Sequence, residues 1–429
     1  MGIETKTCTL GDIGKVCMCK RVLKSQTSSS GDIPFYKIAT FGGKADTFIS
    51  RDLYNEYKTK YNFPKKGDIL ISAAGTVGKT VIYDGKDAFF QDSNIVWIDN
   101  DETQVINDYL YYFYQTHPWK VTSGSTILRL YNDNISGATI AFPKSIKEQK
   151  NIVQILKAID TKITNNNAIS SQLESLAKTI YDYWFLQFDF PDENGRPYKS
   201  SGGKMVWNEE LKRVIPEWWK VGTFSALIKE TKNGDWGQED KQSNFTHYVR
   251  CLRGADFPAI SGHDTLKAPY RYILEKNTNK LLSSGDIIVE ISGGSPTQST
   301  GRSCLVTAKT LERFNSDVIT SNFCQAITLQ DLAFSEWFYE TWKSYYSNGV
   351  FFNYEGKTTG IKNLLFDAVI TQIPVIIPSR IVANNYHKVI GKMFETIQAN
   401  NIENDALSSL RDFLLPMLMN GQVTFKEDA

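Results

Sequence analysis

Two stretches of the chain place an apolar residue every third or fourth position. From Ile152, positions 152, 155, 159, 162, 166, 169, 173, 176, 180 and 183 hold Ile, Ile, Ile, Lys, Asn, Ile, Leu, Leu, Ile and Tyr. This alternation is the a/d seam of a coiled coil with two polar positions, and it predicts a long helix. Shifted by 234 residues, positions 386, 389, 393, 396, 400, 403, 407, 410, 414 and 417 hold Tyr, Val, Met, Thr, Asn, Glu, Leu, Leu, Leu and Met. Two helices in matching register argue for pairing with each other, through Leu173, Leu176, Leu407 and Leu410 among others. Asn166 and Asn400 share one a position, where a buried asparagine costs stability but fixes register. Each lies beside the midpoint of its seam, so antiparallel pairing would set the two in adjacent layers.

The remaining apolar pattern is shorter in period and also repeats. Gly67-Asp68-Ile69-Leu70-Ile71-Ser72 and Gly285-Asp286-Ile287-Ile288-Val289-Glu290 each read as a strand running into a glycine-rich loop. Ser93-Asn94-Ile95 and Ser321-Asn322-Phe323 each open an apolar strand, and an aromatic helical segment follows both, Asp108–Tyr114 and Phe334–Tyr339. Next in both halves come a polar turn with a cation (Ser123–Thr126 with Arg129; Thr358–Gly360 with Lys362), a proline-marked strand end (Pro143, Pro378) and the long helix. Such ordered self-similarity defines two structural copies. It predicts a globular half at 1–143, a central helix at 144–186, a connector at 187–214, a second globular half at 215–378, a C-terminal helix at 379–421 and a tail at 422–429. The Pro, Asn-Gly and Ser-Gly-Gly punctuation between Phe190 and Lys204 reads as turns.

Composition narrows the function classes only a little. The 429 residues, 41% of them hydrophobic, are too many for one ordinary core. No run approaches a membrane span and the N-terminus has no apolar leader segment, so a cytoplasmic protein is expected. The six cysteines are scattered without zinc-ligand spacing, and no metal site is expected. Net charge is +1, and neither half is basic: 16 basic and 15 acidic residues lie in 1–142, and 19 of each in 203–377. Any nucleic-acid contact must therefore rest on local patches.

Catalytic motifs fail on context. Gly75-Thr76-Val77-Gly78-Lys79-Thr80 looks like the end of a phosphate-binding loop, but Ala73 stands where the signature needs glycine, and a β-branched run follows in place of a helix. Asp192 with Glu210-Leu211-Lys212 makes a weak nuclease pattern, because the Asp lies in the turn-rich connector. No glycine-rich cofactor loop and no Asn/Asp-Pro-Pro-aromatic run indicates a methyltransferase. The four histidines are dispersed, which suits structural or surface roles. No catalytic residue is expected.

The whole chain resembles the specificity subunit (HsdS) of type I restriction-modification systems. The resemblance is carried by the two GDI strands, Lys199–Gly203, Met205-Val206-Trp207-Asn208, Ile215-Pro216-Glu217-Trp218 and Leu410-Arg411-Asp412-Phe413-Leu414-Leu415-Pro416. It implies an α+β chain with two similar α/β target recognition domains, separated by two long antiparallel coiled-coil helices as a pseudo-two-fold internal repeat. Its implied partners are double-stranded DNA, two DNA methyltransferase subunits docked on the helices, and restriction/motor subunits. Those partners would bring S-adenosylmethionine, ATP and Mg²⁺, with no cofactor bound by this chain.

On that reading each half reads one part of a split, asymmetric target. A seam of 32 residues is about 48 Å long at 1.5 Å per residue, roughly 14 base pairs at 3.4 Å. Polar loops bearing one cation suit phosphate and guanine contacts. The expected DNA-binding residues are Thr76, Lys79, Ser125 and Arg129 in the first half, and Gln298, Arg302, Lys357 and Lys362 in the second. The longer second-half loop, Ser292 to Arg302, makes symmetrical half-sites doubtful. The competing class is a bivalent scaffold for protein or carbohydrate, supported by the near-neutral charge; a self-sufficient enzyme is the weakest reading.

Overall fold

A computed structural model describes residues 4–119, 129–293, 295, 297–358 and 361–423, with the backbone alone at 357 and 358. The chain forms two compact units, one of residues 1–162 with 407–429 and one of residues 163–406. Both long helices, Ile146–Tyr181 and Arg380–Met419, therefore contribute to each unit.

In the first unit the central sheet has four strands in the order Gly14–Met18, Ile95–Asn100, Ile69–Ser72, Thr80–Ile82. A three-stranded sheet has Ile33–Tyr36 at its centre, antiparallel to Phe48–Ile49 and parallel to Phe89–Phe90. Thr5–Thr9 pairs antiparallel with Thr139–Pro143, which leads into the first long helix. The second unit repeats this plan strand for strand. Its four-stranded sheet runs Ile228–Asn233, Cys324–Leu329, Ile287–Glu290, Ser303–Leu305. Its three-stranded sheet again has one antiparallel and one parallel partner around Phe245–Leu252. Lys220–Thr223 pairs with Pro374–Ile377 before the second long helix. An added hairpin, Glu355–Thr358 with Ile361–Leu364, has no counterpart among the described residues of the first unit.

The GDI signature is explained by geometry. Gly67 and Gly285 hold φ of 96° and 92°, a region closed to most side chains, as the chain turns into the strand. The buried Asp68 and Asp286 accept from the backbone N–H of Lys65 (2.7 Å) and Ser283 (2.8 Å), closing the same turn in each copy. Asp286 also holds the buried Lys232 ammonium at 2.9 Å and accepts from the Thr328 hydroxyl at 2.6 Å. These aspartates are architectural. The aromatic helices are core elements as well: Asn107–Gln115 buries Tyr109, Tyr112, Phe113 and Tyr114, and Ser335–Ser347 buries Trp337, Phe338 and Trp342.

The long helices run antiparallel within each unit. In the first, Asp160 meets Arg411 at 3.1 Å, while Ile152, Val153 and Leu156 share a cluster with Leu415, Leu418 and Met419. In the second, Asn166 faces Glu403 and Asn404, whereas Ala177, farther along, accepts from the Tyr386 hydroxyl at 3.5 Å. The a positions expected from sequence do turn inward, with Ile152, Ile159, Asn166 and Tyr386 buried. The expected d positions do not. Ile155, Ile169, Leu176 and Tyr183 are exposed on the first helix, as are Val389 and Leu410 on the second. The inward partner is one residue later, at Leu156, Ser170 and Ala177, and at Ile390 and Ile397. Leu176 and Leu410, expected in the pairing, thus face outward, and Leu173 and Leu407 are only half-buried. Apolar residues occupy both a+3 and a+4 at 155/156, 176/177 and 389/390, so spacing alone could not select the inward row there; tertiary packing does.

The connector also departs from the turn-rich linker expected. Phe188 and Phe190 are buried, and the Phe190 ring stacks on Tyr198 (4.7 Å between centroids) and on Trp219 (4.9 Å). A hairpin follows, Met205–Asn208 with Arg213–Pro216. The turn at Asp192 is held by backbone and guanidinium donors from Arg196, which keep its carboxyl below the usual range. A carboxylate so committed is not a metal ligand in waiting, and no cluster of metal-binding side chains occurs among the described residues.

Candidate nucleic-acid interface

In each unit the loop after the central strand meets two other segments: the Ser-Asn that opens the neighbouring strand, and the cation-bearing segment before the next short helix. In the first unit, Leu130 N–H donates to Ala73 O at 2.8 Å, and Ala74 forms an antiparallel bridge with Arg129. In the second, Gly293 pairs with Lys362 and Ser292 with Asn363. Leu364 N–H likewise donates to Ile291 O at 2.8 Å, so Arg129 corresponds to Asn363, and Lys362, expected as its counterpart, stands one residue earlier.

The first loop is a tight turn built on the buried Ser72. Its hydroxyl accepts from Lys79 N–H at 2.9 Å and donates to the Thr76 carbonyl; Gly78 N–H reaches Ser72 O at 2.9 Å. Gly75 and Gly78 take φ of 67° and 82°, so the glycines that mimicked a phosphate loop serve a strand-to-strand turn. Thr76 and Lys79 are exposed on it, and Lys79 Nζ donates to Phe41 O at 2.7 Å. Arg129 donates to Ser93 O at 3.1 Å and lies 5.9 Å from the centre of the exposed Tyr131 ring. Thr76 and Lys79 thus lie on the loop, and Arg129 on the segment bridged to its first residues. Ser125 lies outside the described residues.

The second loop is arranged differently. Arg302 donates through Nε and Nη2, one edge of its guanidinium, to Glu290 at 2.8 and 2.7 Å, and this pairing raises the arginine's pKa further. The Glu290 side chain is 8% exposed and that of Arg302 27% exposed. Lys362 meets the nearly buried Glu355 at 2.9 Å and lies 5.0 Å from the centre of the Phe352 ring. Glu355 also accepts from Thr300 N–H at 2.8 Å, tying the loop to the hairpin. The charges of Arg302 and Lys362, expected to face a ligand, are thus engaged by carboxylates. Gln298 is exposed at a turn whose backbone bonds it reciprocally to Ser295. Lys357 lies opposite Lys362 across the hairpin.

The helix-pairing asparagines meet in the second unit. Asn166, 2% exposed, donates to Glu403 at 2.7 Å and to Asn404 at 3.0 Å. Asn400 donates to the Asn166 carbonyl at 3.4 Å and to the Ser170 hydroxyl at 3.2 Å. A polar layer spans the seam there. Neighbouring bonds tie it to the globular part: Gln398 and Asn401 both donate to Ile260 O, at 2.8 and 3.0 Å, and Arg313 makes a bidentate pair with Asp405.

Sequence reading missed the two carboxylates, because a glutamate's partner across a hairpin cannot be read from spacing without the register. It also missed a cleft of about 530 Å³ beside the second loop, lined by Trp236, Arg253, Glu290, Asn322, Phe323 and Ile361 among others. The only available hint was the aromatic Phe323 after Ser321-Asn322, where the first half has Ile95.

Residues 3–175 match the family described as type I restriction modification DNA specificity domain. A putative type I restriction enzyme specificity subunit of Haemophilus influenzae is 61% identical over 161 residues, which is 38% of this chain and 41% of that protein's length. The MjaIX specificity subunit of Methanocaldococcus jannaschii is 24% identical over 99% of this chain and 97% of its own. In fold, the chain is similar to the crystal structure of a type I restriction-modification S subunit from M. genitalium, with a TM-score of 0.58 and 15% identity over 99% of this chain and 97% of that one.

Proposed function

Since the chain belongs to the specificity-subunit family of type I restriction-modification systems, we propose that each of its two units reads one part of a bipartite, asymmetric DNA target. The observation that carries this is the repeated sheet order bearing unlike loops: the same frame presents Thr76, Lys79 and Arg129 in one copy and carboxylate-held cations in the other. A shared frame with different rims is what two different half-sites require, because base contacts come from loops while the frame fixes their approach. A net charge of only +1 fits as well, since the reading is local.

The two long helices would set the distance between the half-sites. Their outward apolar residues at heptad spacing, Ile155, Ile169, Leu176 and Tyr183 on the first and Val389 and Leu410 on the second, support docking of methyltransferase subunits there. The partners would supply S-adenosylmethionine and, in the restriction complex, ATP and Mg²⁺. The chain itself acts by recognition. No helix is long and apolar enough to cross a membrane among the described residues, and a cytoplasmic place beside DNA is the expectation.

Methylome sequencing of a host carrying the complete operon tests the proposal. A split motif with two unlike halves and a fixed spacer is the expected result; a continuous or palindromic motif would count against it. Methyl transfer by the purified chain alone would overturn its non-catalytic role.

A further inference from the structure

The cleft in the second unit occupies the place that the internal repeat assigns to DNA reading, yet its chemistry is unlike the first unit's rim. It lies among the loop after Ile287–Glu290, the Ser321-Asn322 strand opening and the hairpin strand Ile361–Leu364. In the first unit the corresponding segments expose Thr76 and Lys79 and carry Arg129. Here Arg302 and Lys362 are drawn to Glu290 and Glu355, and apolar surface comes forward: Phe323 is 56% exposed, Ile361 49% and Trp236 37%. Asn322 is exposed beside Phe323 on the same cleft.

The cleft is a built feature. A side chain on Gly254 would stand 2.1 Å from Glu290 Oε1, so this wall must be glycine for the glutamate to stay under the floor. Glu290 itself is pinned by Arg302, and the Arg302 and Gly301 backbone closes on it at 2.8 Å in both directions. Arg253 is held on the rim by two bonds to the buried Asp256. The guanidinium of Arg271 lies 4.2 Å from the centre of the Trp236 ring, which steadies the opposite wall.

We infer that this cleft reads an A·T pair in the major groove, with Asn322 on the adenine edge and Phe323 and Ile361 around the thymine methyl group. The inference rests on the DNA-reading proposal above and adds the base chemistry of one half-site. An A·T pair presents adenine N6 and N7 beside the thymine C5-methyl; an amide matches the first and an apolar wall the second. Neighbouring Asn322 and Phe323 supply both in one cleft. A guanine contact would need a free guanidinium or ammonium at this place; Arg253, the cation that lines the cleft, is held by Asp256 and the Lys267 carbonyl, and Arg302 and Lys362 nearby are held by Glu290 and Glu355.

The test uses the full chain assembled with the methyltransferase subunit of its own operon, on duplexes carrying the motif found by methylome sequencing. Each thymine is replaced in turn by deoxyuridine, which lacks only the methyl group. At one thymine of one half-site, affinity should fall about fourfold, the weight of one methyl withdrawn from water. In F323A the preference for thymine over deoxyuridine should shrink to less than half, Ile361 alone remaining beside the methyl, while N322A should relax discrimination at the same base pair. Phe323 is exposed, so its removal spares the core, and the deoxyuridine arm needs no variant. The inference is overturned if no thymine in either half-site responds, or if F323A keeps the thymine preference. It is likewise overturned if F323A weakens assembly with the methyltransferase instead, which would make the cleft a protein contact. Absence of any sequence-specific binding by the assembled wild-type complex would fail the DNA-reading proposal itself, a separate outcome.

Discussion

Replacing Arg302 by methionine separates a structural cation from a DNA contact. Arg302 reaches Glu290 through two bonds of 2.8 and 2.7 Å, and the glutamate side chain is 8% exposed. Removing the arginine leaves a carboxylate buried without its counter-charge, which costs about 3–5 kcal/mol; replacing both members by apolar residues of similar size is close to neutral. For a unit of this size each kcal/mol moves the melting temperature by about 2–4 °C, so R302M should lower the melting of the second unit by about 6–20 °C. The double variant R302M/E290L should recover most of that loss, giving a coupling energy of about 2–4 kcal/mol in the mutant cycle. Differential scanning calorimetry of the four proteins measures this, with affinity for each half-site read alongside. R302M should weaken the second half-site through a disordered loop and leave the first unaffected. The reasoning is refuted if R302M melts within about 2 °C of the wild type yet loses the second half-site, because Arg302 would then contact DNA and Glu290 would not depend on it.

Further outcomes are expected elsewhere in the molecule. K79A should weaken the first half-site alone and reduce the slope of log K against log salt by about 0.9 if Lys79 neutralises one phosphate, a value obtained from binding titrations at several salt concentrations. N166A should destabilise the second unit by about 1–2 kcal/mol through the lost bonds to Glu403 and Asn404, and N166L by less since it refills the seam; urea unfolding would show no difference from wild type if the polar layer were idle. The hydrogen bond that His387 Nδ1 donates to Glu336, 2.6 Å long, raises the histidine pKa above 6.5. Its stabilisation is therefore fully present below pH 6.5 and fades as pH rises through the folded value. Melting of the second unit measured from pH 6 to 9 should fall more in the wild type than in H387Q, and parallel profiles would remove this pair as the cause. Inserting one heptad at the same layer of both long helices should lengthen the target's spacer by about three base pairs, from about 10 Å of added helix, with both half-sites unchanged in the methylome; an altered half-site would refute the spacing role.

Local order of elements was legible in the chain because each element carries its own signal. A glycine at positive φ followed by aspartate marks the same strand entry twice, since the turn needs both the permissive backbone and the carboxylate that closes it. Heptad spacing revealed two long helices and placed Asn166 and Asn400 at matching a positions in adjacent layers, for an amide in an apolar row is conspicuous without any partner in view. Context also excluded a phosphate-binding loop, and Gly75 and Gly78 proved to serve a hairpin turn. Which side of each helix faces inward was decided by tertiary packing: Leu176 lost its expected place to Ala177, both being apolar, and Leu410 turned outward beside Arg411, which pairs with Asp160 on the other helix. Packing also turned the Pro- and Gly-rich connector into an aromatic cluster, as Phe188, Phe190, Tyr198 and Trp219 meet only when the connector folds back and its hairpin returns the chain to them. Charge availability at the reading loops was settled the same way. Arg302 and Arg129 look alike in sequence, but one lies across a hairpin from a buried glutamate and the other donates to a backbone carbonyl. That distinction depends on strand register, which couples residues through space, and no local pattern along the chain encodes it.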